Sequence, residues 1–260
     1  ATSWPASSTS TRGWTWRDKS SLLRTAIGWR LSGFRCAGGT TVADLCAGLT
    51  PRVMRELIEP LCVSALNTPI AQSSGEVFLR VLKDALFSGS GGADLLLPRA
   101  DLGALLPDAA IRWLTRQGAT VRIGTRVRAI ASEAGQWLVD GDAFDQVVLA
   151  CAPWDAARLV RASGPPADRW CETTEALRFE AIATVYVRGA RPLAEPMLAL
   201  RSHPATAPAQ FVFDRSQLGG LQGVLAMVVS ANEASREVLE EKVIAQAAAQ
   251  LGQSNLQLVQ

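Results

Sequence analysis

The chain has 260 residues, 48% of them hydrophobic, and a formal net charge of +2 at pH 7. This length is enough for one large domain or two intertwined ones, and so small a net charge argues against a nucleic-acid partner. One histidine, and cysteines without a CxxC pair, argue against a zinc site or any other metal site and against a disulfide framework. The simplest interpretation is a cytoplasmic protein whose five thiols are reduced: Cys36, Cys46, Cys62, Cys151 and Cys171.

The first residues of the chain do not resemble a signal peptide. Residues 1–14 lack the hydrophobic core of a signal peptide, and no apolar run approaches the roughly 20 residues that span a bilayer. The sequence does not begin with Met, so we expect a fragment or a trimmed form of a longer protein. Residues 1–18 are predicted to form a loop or a loosely held strand.

The first predicted helix, Lys19–Arg35, combines apolar residues at helical spacing with arginines on its other faces. An amphipathic basic helix can contact anionic lipid, whereas the plainer interpretation is a solvated surface helix. A short helix is predicted at Thr41–Leu49, with Thr40 or Thr41 as its cap.

Two longer helices follow, Pro51–Asn67 and Ser73–Phe87, each with an apolar stripe that ordinary core packing explains. Pro60 lies inside the first helix and predicts a kink there. The glycine-rich stretch 89–92 resembles a phosphate loop only superficially, because Asp94 stands where a third glycine is needed. We interpret it as a flexible turn.

The middle of the chain predicts a series of short strands. A helix capped by Asp101, split near Pro107 and ended by Gly118, precedes them. A run that is apolar on every side predicts a strand covered on both faces of a sheet. The predicted strand segments are Ala119–Ile123, Arg126–Ala131, Trp137–Val139 before the turn Asp140-Gly141-Asp142, and the apolar run Val147–Ala150.

The last third predicts a helix at Trp154–Ala162, four strands and a closing helix at Ser235–Leu251. Helices, a meander and then an antiparallel sheet, without repeats or linkers, are typical of an α+β fold with intertwined subdomains. The predicted strands are Glu180–Val187, Met197–Arg201, Gln210–Phe213 and Gly223–Ser230.

Four segments together resemble one family. They are EPLCVSALNTP (59–69), FLRVLKDALF (78–87), the stretch from DLLLPRADL to TRVRAI (94–130), and FDQVVLACAP (144–153). They resemble the squalene-associated FAD-dependent desaturases, the hydroxysqualene dehydroxylases of hopanoid biosynthesis. That family is a branch of the phytoene desaturase and flavin amine oxidase superfamily, and the resemblance is densest over 59–153.

The resemblance implies the substrate-binding domain of a two-dinucleotide FAD oxidoreductase, a helical part with an antiparallel or mixed sheet and no N-terminal Rossmann motif. Residues 1–118 correspond to the mainly helical part, 119–153 to a β-meander on the FAD-domain side, and 154–260 to the sheet and C-terminal helix. The family's GxGxxG loop and its Gly-Asp strand are not found in this sequence. We therefore expect FAD in the full-length protein, and little or no FAD binding or turnover by this chain alone.

The implied reaction turns hydroxysqualene into squalene: loss of water leaves an allylic cation, and reduced FAD gives it hydride. The protein then needs an apolar tunnel and an acid. The catalytic acid stays open among Glu59, Asp94 and Asp101. The resemblance assigns Val127 to backbone hydrogen bonds with the FAD adenine.

Substrate contacts are predicted at Asn67, Phe78 and Phe87. A helix cap for Asn67, core packing for the phenylalanines and a plain strand residue for Val127 are the structural alternatives. An isoprenoid lipid substrate is compatible with contact at the inner face of the membrane. A cluster of arginines could serve such contact or line a solvated strand edge: Arg112, Arg116, Arg122, Arg126 and Arg128.

Three alternatives remain open. The chain could be the substrate domain of a carotenoid or phytoene desaturase, or of a flavin amine oxidase. The amine oxidase is disfavoured because Tyr186 is the sole tyrosine and an aromatic cage is expected there. An alternative of another class is a non-catalytic lipid-binding module. The sequence leaves the oligomeric state open.

Overall fold

The computed structural model describes residues 13–86, 89, 91, 94–163 and 167–259. They form two compact units, the first from residues 1–102 and 180–260 and the second from residues 103–179. The predicted boundaries at 118 and 153 both lie inside the second unit. The division into substrate-domain and FAD-domain parts stays a prediction.

Helix α1 spans Trp16–Leu31 and thus begins before Lys19, where the sequence predicted its start. Thr15 and Asp18 form a capping box at its beginning. The Asp18 amide donates to Thr15 Oγ1 at 3.2 Å, and the Thr15 amide donates to Asp18 Oδ2 at 2.8 Å. These two bonds satisfy donors that a helix start leaves free, so the first helical turn includes residues predicted as loop.

The helix predicted at Pro51–Asn67 is present and contains one π-helical turn. Helix α3 (Pro51–Val53), the π turn (Met54–Ile58) and α4 (Glu59–Leu66) follow one another without a break. In the π turn the Glu59 amide donates to the carbonyl of Met54. Pro60 has no amide hydrogen, and its ring would clash with the carbonyl four residues earlier in a regular helix. The irregularity predicted at Pro60 therefore takes the form of a widened turn. Residues 51–66 are called the cavity helix below.

The helical part of the first unit is completed by α2 (Val42–Leu45) and α5 (Gly75–Leu86). The predicted stripe of α5 faces inward, because Phe78, Leu79 and Leu82 are buried. The helices share one apolar core, and its fully buried members are Val42, Cys46, Val53, Cys62, Phe78 and Leu79.

A five-stranded antiparallel sheet forms the rest of the first unit, in the order β5-β6-β7-β4-β8. The four predicted strands are confirmed, and a short fifth strand was not predicted. Helix α10 (Arg236–Leu251) covers one face through Leu239, Val243 and Ala247. The strands are β4 (Ala183–Arg188), β5 (Met197–Ala199), β6 (Phe211–Asp214), β7 (Val224–Val229) and β8 (Gln257–Leu258), with a 3-10 turn at Arg215–Leu218.

The second unit contains a three-stranded antiparallel meander in the order β1-β2-β3. Its two hairpin turns, Ala134-Gly135 and Asp140-Gly141, have positive φ at both residues. This conformation matches the twist of the flanking strands. The elements from the end of the first unit onward are α6 (Leu102–Leu105), α7 (Pro107–Arg116), β1 (Ile130–Glu133), β2 (Gln136–Val139), β3 (Asp142–Phe144), α8 (Pro153–Ala162) and α9 (Asp168–Glu175).

Two of the predicted strands are wrong, because residues 119–123 and 147–150 join no sheet in the described structure. Of the predicted strand Arg126–Ala131, only Ile130 and Ala131 pair, at the start of β1. The run 147–150 was expected to be covered on both faces, yet the side chain of Val148 is 88% exposed. An apolar run becomes a buried strand only when partner strands and covering layers are present, and the described residues supply neither.

Candidate functional site

A cavity of about 670 Å³ opens in the first unit between the cavity helix, α10 and loops at the ends of strands. A volume of this size lies within the range of about 300–1,000 Å³ typical of small-molecule sites. More than half of the lining residues are apolar: Pro60, Val63, Pro69, Ile70, Pro204, Ala205, Pro208, Val229, Ala231, Ala234 and Leu239. The cavity therefore suits a largely apolar ligand.

Four charged residues also line this cavity: Arg55, Glu59, Glu233 and Lys242. Glu59 and Lys242 are half-buried, whereas Arg55 and Glu233 are exposed. Within the described part of the chain, the Glu59 carboxylate has neither a hydrogen bond nor an ion pair. Two carboxylates and two cations keep the net charge of the lining near zero. Glu59 is thus available to act on a ligand.

The structure separates the three predicted acids. Glu59 lies on the cavity wall, at the first position of α4. Asp94 and Asp101 are not part of the described lining of that cavity. Which carboxylate acts as the acid stays a prediction, and the geometry favours Glu59.

Asn67 joins the helical part of the first unit to the sheet part. It ends the cavity helix in the left-handed conformation, with φ 50° and ψ 32°. Its Oδ1 accepts a hydrogen bond from the Ala231 amide at 2.8 Å, and its Nδ2 donates to the Glu180 carbonyl at 3.0 Å. Ala231 itself lines the cavity and also has a positive φ of 50°. The side chain of Asn67 thus fixes a strained part of the cavity wall, and its contact with substrate stays a prediction.

The two predicted phenylalanine contacts have different outcomes. Phe78 is completely buried in the core of the helical part, where it packs with residues such as Ile58 and Leu79. It is not part of the described cavity lining. Phe87 lies outside the described residues. A substrate contact of either residue stays a prediction.

The second unit has a groove of about 360 Å³ beside Val127. Its walls are apolar apart from three ionic side chains at one side. There Arg126 Nη2 contacts Asp155 Oδ1 at 2.8 Å, and Arg158 Nη2 donates to the Val127 carbonyl at 3.4 Å. The lining residues are Arg126, Val127, Ile130, Val139, Val147, Val148, Leu149, Ala150, Cys151, Asp155, Arg158 and Leu159.

The backbone of Val127 fits the predicted contact with an adenine ring. Among the described residues, the Val127 amide has no hydrogen-bond acceptor, and its carbonyl receives only the long bond from Arg158. An adenine edge requires one donor and one acceptor side by side, and a free peptide group on an apolar groove provides both. The residues present therefore fit this part of the cofactor.

The predicted arginine cluster is partly neutralised. Arg122 Nη1 contacts Asp142 Oδ2 at 2.7 Å, and Arg126 is paired with Asp155. Ion pairs of this kind reduce the positive field of the cluster, which favours the solvated strand edge over the membrane-facing interpretation.

Sequence reasoning missed much of the cavity wall. The lining residues between 202 and 210 and between 229 and 234 come from loops at strand ends. Two prolines, Pro204 and Pro208, mark the first of these loops, but proline marks most turns and indicates no site by itself. Their place in the cavity could not be predicted, because the helix that they face lies more than a hundred positions earlier in the chain.

Several solved structures share the fold. An oxidoreductase from Methanosarcina mazei superposes with a TM-score of 0.70 at 14% identity, covering 96% of this chain and 61% of that chain. A putrescine oxidase bound to putrescine gives 0.59 at 16% identity, with 95% and 59% covered. Reduced UDP-galactopyranose mutase gives 0.57 at 14% identity, with 93% and 58% covered. These identities support a shared fold only.

Sequence comparison identifies the family. Hydroxysqualene dehydroxylase of Sinorhizobium fredii is 28% identical over 134 residues, which are 48% of this chain and 32% of that relative. The match thus spans about a third of the relative's length. Residues 49–257 match the family described as flavin containing amine oxidoreductase. This match covers most of the chain, and the chain therefore belongs to the flavin containing amine oxidoreductase family.

Proposed function

We propose that the chain is the substrate-binding part of an FAD-dependent oxidoreductase that converts hydroxysqualene into squalene. The similarity to hydroxysqualene dehydroxylase carries the choice of substrate. The apolar lining of the cavity supports it, because a long isoprenoid offers almost nothing but hydrocarbon to its binding site. Binding such a chain in the cavity removes apolar surface from water on both sides.

Glu59 is the proposed acid for the departing hydroxyl group. Its proton goes to the hydroxyl oxygen, the carbon–oxygen bond breaks, and water leaves with the electron pair of that bond. Reduced FAD, when bound, supplies the hydride that forms the new carbon–hydrogen bond. A bound isoprenoid chain would displace water from the apolar walls around Glu59, and this would protect the allylic cation from capture by water.

Val127 and the groove beside it are the proposed holding site for the adenine of the cofactor. The Val127 amide donates to a ring nitrogen, and its carbonyl accepts from the exocyclic amine. The side chain plays no part in this contact. The nearby Arg126–Asp155 pair partly offsets the positive charge at the groove's edge.

Oxidation of an amine is the second candidate. Two carboxylates, Glu59 and Glu233, line the same cavity and could hold a cationic amine. Arg55 and Lys242, which also line the cavity, repel that cation, so this candidate ranks below the isoprenoid. Tyr186 lies on β4 and is not part of the described cavity lining.

A carotenoid desaturase differs from the first proposal in the direction of electron flow.

A flavin assay separates these proposals. The gene product that carries this chain is loaded with FAD, reduced without oxygen and mixed with hydroxysqualene. We expect the flavin absorbance to return and squalene to form, detected by mass spectrometry. If phytoene or an amine instead reduces the oxidised flavin, the substrate proposal is wrong. Failure to retain FAD under any condition would favour a lipid-binding module without chemistry.

A further inference from the structure

Helix α1 leaves a stripe of large apolar side chains in contact with solvent. Trp16 is 87% exposed, Leu23 62%, Ile27 49% and Leu31 82%. With 3.6 residues per turn, these four positions project within an arc of about 80° around the helix axis. They therefore share one face of the helix, called the α1 stripe, which Ser20 interrupts.

The opposite face of α1 is the one that packs on the protein. Asp18, Ser21 and Trp29 are buried, and Thr50 Oγ1 donates to Asp18 Oδ1 at 2.6 Å. This bond fixes the helix against the start of the cavity helix. The helix thus already buries one face against the protein, and the α1 stripe is a second apolar face that remains in contact with solvent.

Basic residues flank the α1 stripe on both sides. On a helical wheel, Lys19 and Arg30 lie beside one edge and Arg24 beside the other. All three side chains are exposed. The single acidic residue of the helix, Asp18, is buried and hydrogen-bonded to Thr15 and Thr50, so it does not neutralise them at the surface.

We propose that the α1 stripe docks the protein on the surface of an anionic lipid bilayer. Apolar side chains that can enter the interface between headgroups and acyl chains, and cations beside them for the lipid phosphates, both favour such docking. Trp16 suits the interface because its ring is apolar and its N–H is polar. In the described chain no helix has both the length and the apolar character to cross a bilayer. In the proposed docking, α1 lies along the surface with its stripe towards the acyl chains.

A second copy of the chain fits the stripe less well. Two stripes packed face to face would bring Lys19, Arg24 and Arg30 of both copies together, and like charges at such an interface cost free energy. A bilayer that contains anionic lipid presents the opposite charge on a flat apolar boundary. The charge pattern thus favours lipid.

Vesicle flotation tests this docking with the 260-residue chain. Vesicles of phosphatidylcholine with phosphatidylglycerol are compared with vesicles of phosphatidylcholine alone. We expect binding to the anionic vesicles, and a fall of about tenfold or more in partitioning for Leu23→Ser combined with Ile27→Ser. The matched control replaces two exposed leucines elsewhere in the first unit, Leu96→Ser with Leu221→Ser, and should bind as the parent chain does.

A second pair of variants tests the charges. Lys19→Gln, Arg24→Gln and Arg30→Gln together should weaken binding to anionic vesicles and remove most of its dependence on salt. The control, with the same loss of charge, replaces exposed arginines of the second unit and should leave binding unchanged: Arg112→Gln, Arg116→Gln and Arg169→Gln.

Two outcomes would overturn the lipid docking. One is unchanged vesicle binding in the stripe variant while its circular dichroism matches that of the parent chain. The other is a dimer in analytical ultracentrifugation that the stripe variant abolishes, with no binding to either vesicle. Vesicle binding and sedimentation are measured without flavin or substrate. A negative result in either one therefore contradicts the docking and leaves the proposed reaction untouched.

Discussion

Asn67 Oδ1 accepts a hydrogen bond of 2.8 Å from the amide of Ala231, a residue 164 positions later in the chain. The same side chain donates to the Glu180 carbonyl, and Asn67 and Ala231 both have a φ of 50°. One amide group thus holds two left-handed residues, the end of a helix and the wall of a cavity. Its removal should affect stability and the cavity together.

Asn67→Ala should destabilise the first unit by about 2 to 3 kcal/mol. Each lost hydrogen bond contributes about 1 kcal/mol, and alanine is strained by about 1 kcal/mol in the left-handed conformation. Urea unfolding followed by circular dichroism measures the change. Asn67→Gly is the matched control, because glycine relieves the strain while both hydrogen bonds stay lost. If Asn67→Gly were as stable as the parent chain, the two hydrogen bonds would contribute nothing to the free energy of unfolding.

Glu59→Gln should lower the rate of squalene formation by about 100-fold or more, because a positioned general acid typically contributes 10²- to 10⁴-fold. Substrate affinity should change little, since glutamine keeps the shape of the side chain. The measurement is single-turnover flavin reoxidation with hydroxysqualene. Glu241→Gln, on the exposed side of α10 next to Lys242, serves as control. If Glu59→Gln formed squalene at the rate of the parent, Glu59 would not be the acid of the reaction.

Val127→Pro should raise the dissociation constant for FAD by about tenfold, because proline removes the amide that the adenine needs and leaves the apolar groove in place. Val127→Ala keeps the amide and should bind FAD as the parent does. Fluorescence quenching of the flavin in the FAD-binding gene product measures both constants. Equal affinity in the two variants would show that the Val127 amide makes no contact with the cofactor.

The stability of the first unit should fall in acid as the Asp18 carboxylate becomes protonated. Hydrogen bonds from Thr50, and then from Thr15, lower the pKa of Asp18 to about 2. A pKa that folding lowers contributes stability above the unfolded pKa of about 4, and this stability is lost as the pH falls towards 2. In Asp18→Asn the unfolding midpoint should fall less over this range.

The control for this titration is Glu195→Gln, an exposed carboxylate in the same unit. Its midpoint should follow that of the parent chain from pH 4 to pH 2. Identical curves for Asp18→Asn and the parent chain would contradict the role of the capping box in acid stability.

The thiols should react with a disulfide reagent at rates that follow their burial. Cys46 and Cys62 are completely buried in the helical core. Burial raises the pKa of Cys46 to about 12, with a contribution from Cys62, and burial also raises the pKa of Cys62. The thiolate is the reactive form, so both should react only after unfolding.

Cys151 is exposed and lines the groove beside Val127, so it should react first. Mass spectrometry of the labelled peptides assigns each thiol. In the FAD-binding gene product, FAD should slow labelling of Cys151 and leave labelling of half-buried Cys36 unchanged. Equal labelling of Cys151 with and without FAD would place the cofactor elsewhere.

The local elements could be predicted because their signals lie within a few residues. Periodicity predicted the stripe of α5 and the strands β4 to β7, and turn chemistry predicted the Asp140-Gly141 turn. The structure confirms all of them. The start of α1 was missed because its capping box, Thr15 with Asp18, lay in a stretch interpreted as loop. The strand at 147–150 was wrong, because an apolar sequence does not determine whether partner strands are present.

The sequence by itself determined the α+β composition, the order of most of the elements and the similarity to flavin-dependent relatives. Only the tertiary structure decided which of three candidate acids lines the cavity, that Asn67 bonds to Ala231, and which face of α1 stays exposed. Helix caps and strand patterns arise from neighbours in the chain, whereas these three features arise from contacts between distant segments. Such contacts depend on how whole elements pack, and no local pattern of residues records that packing.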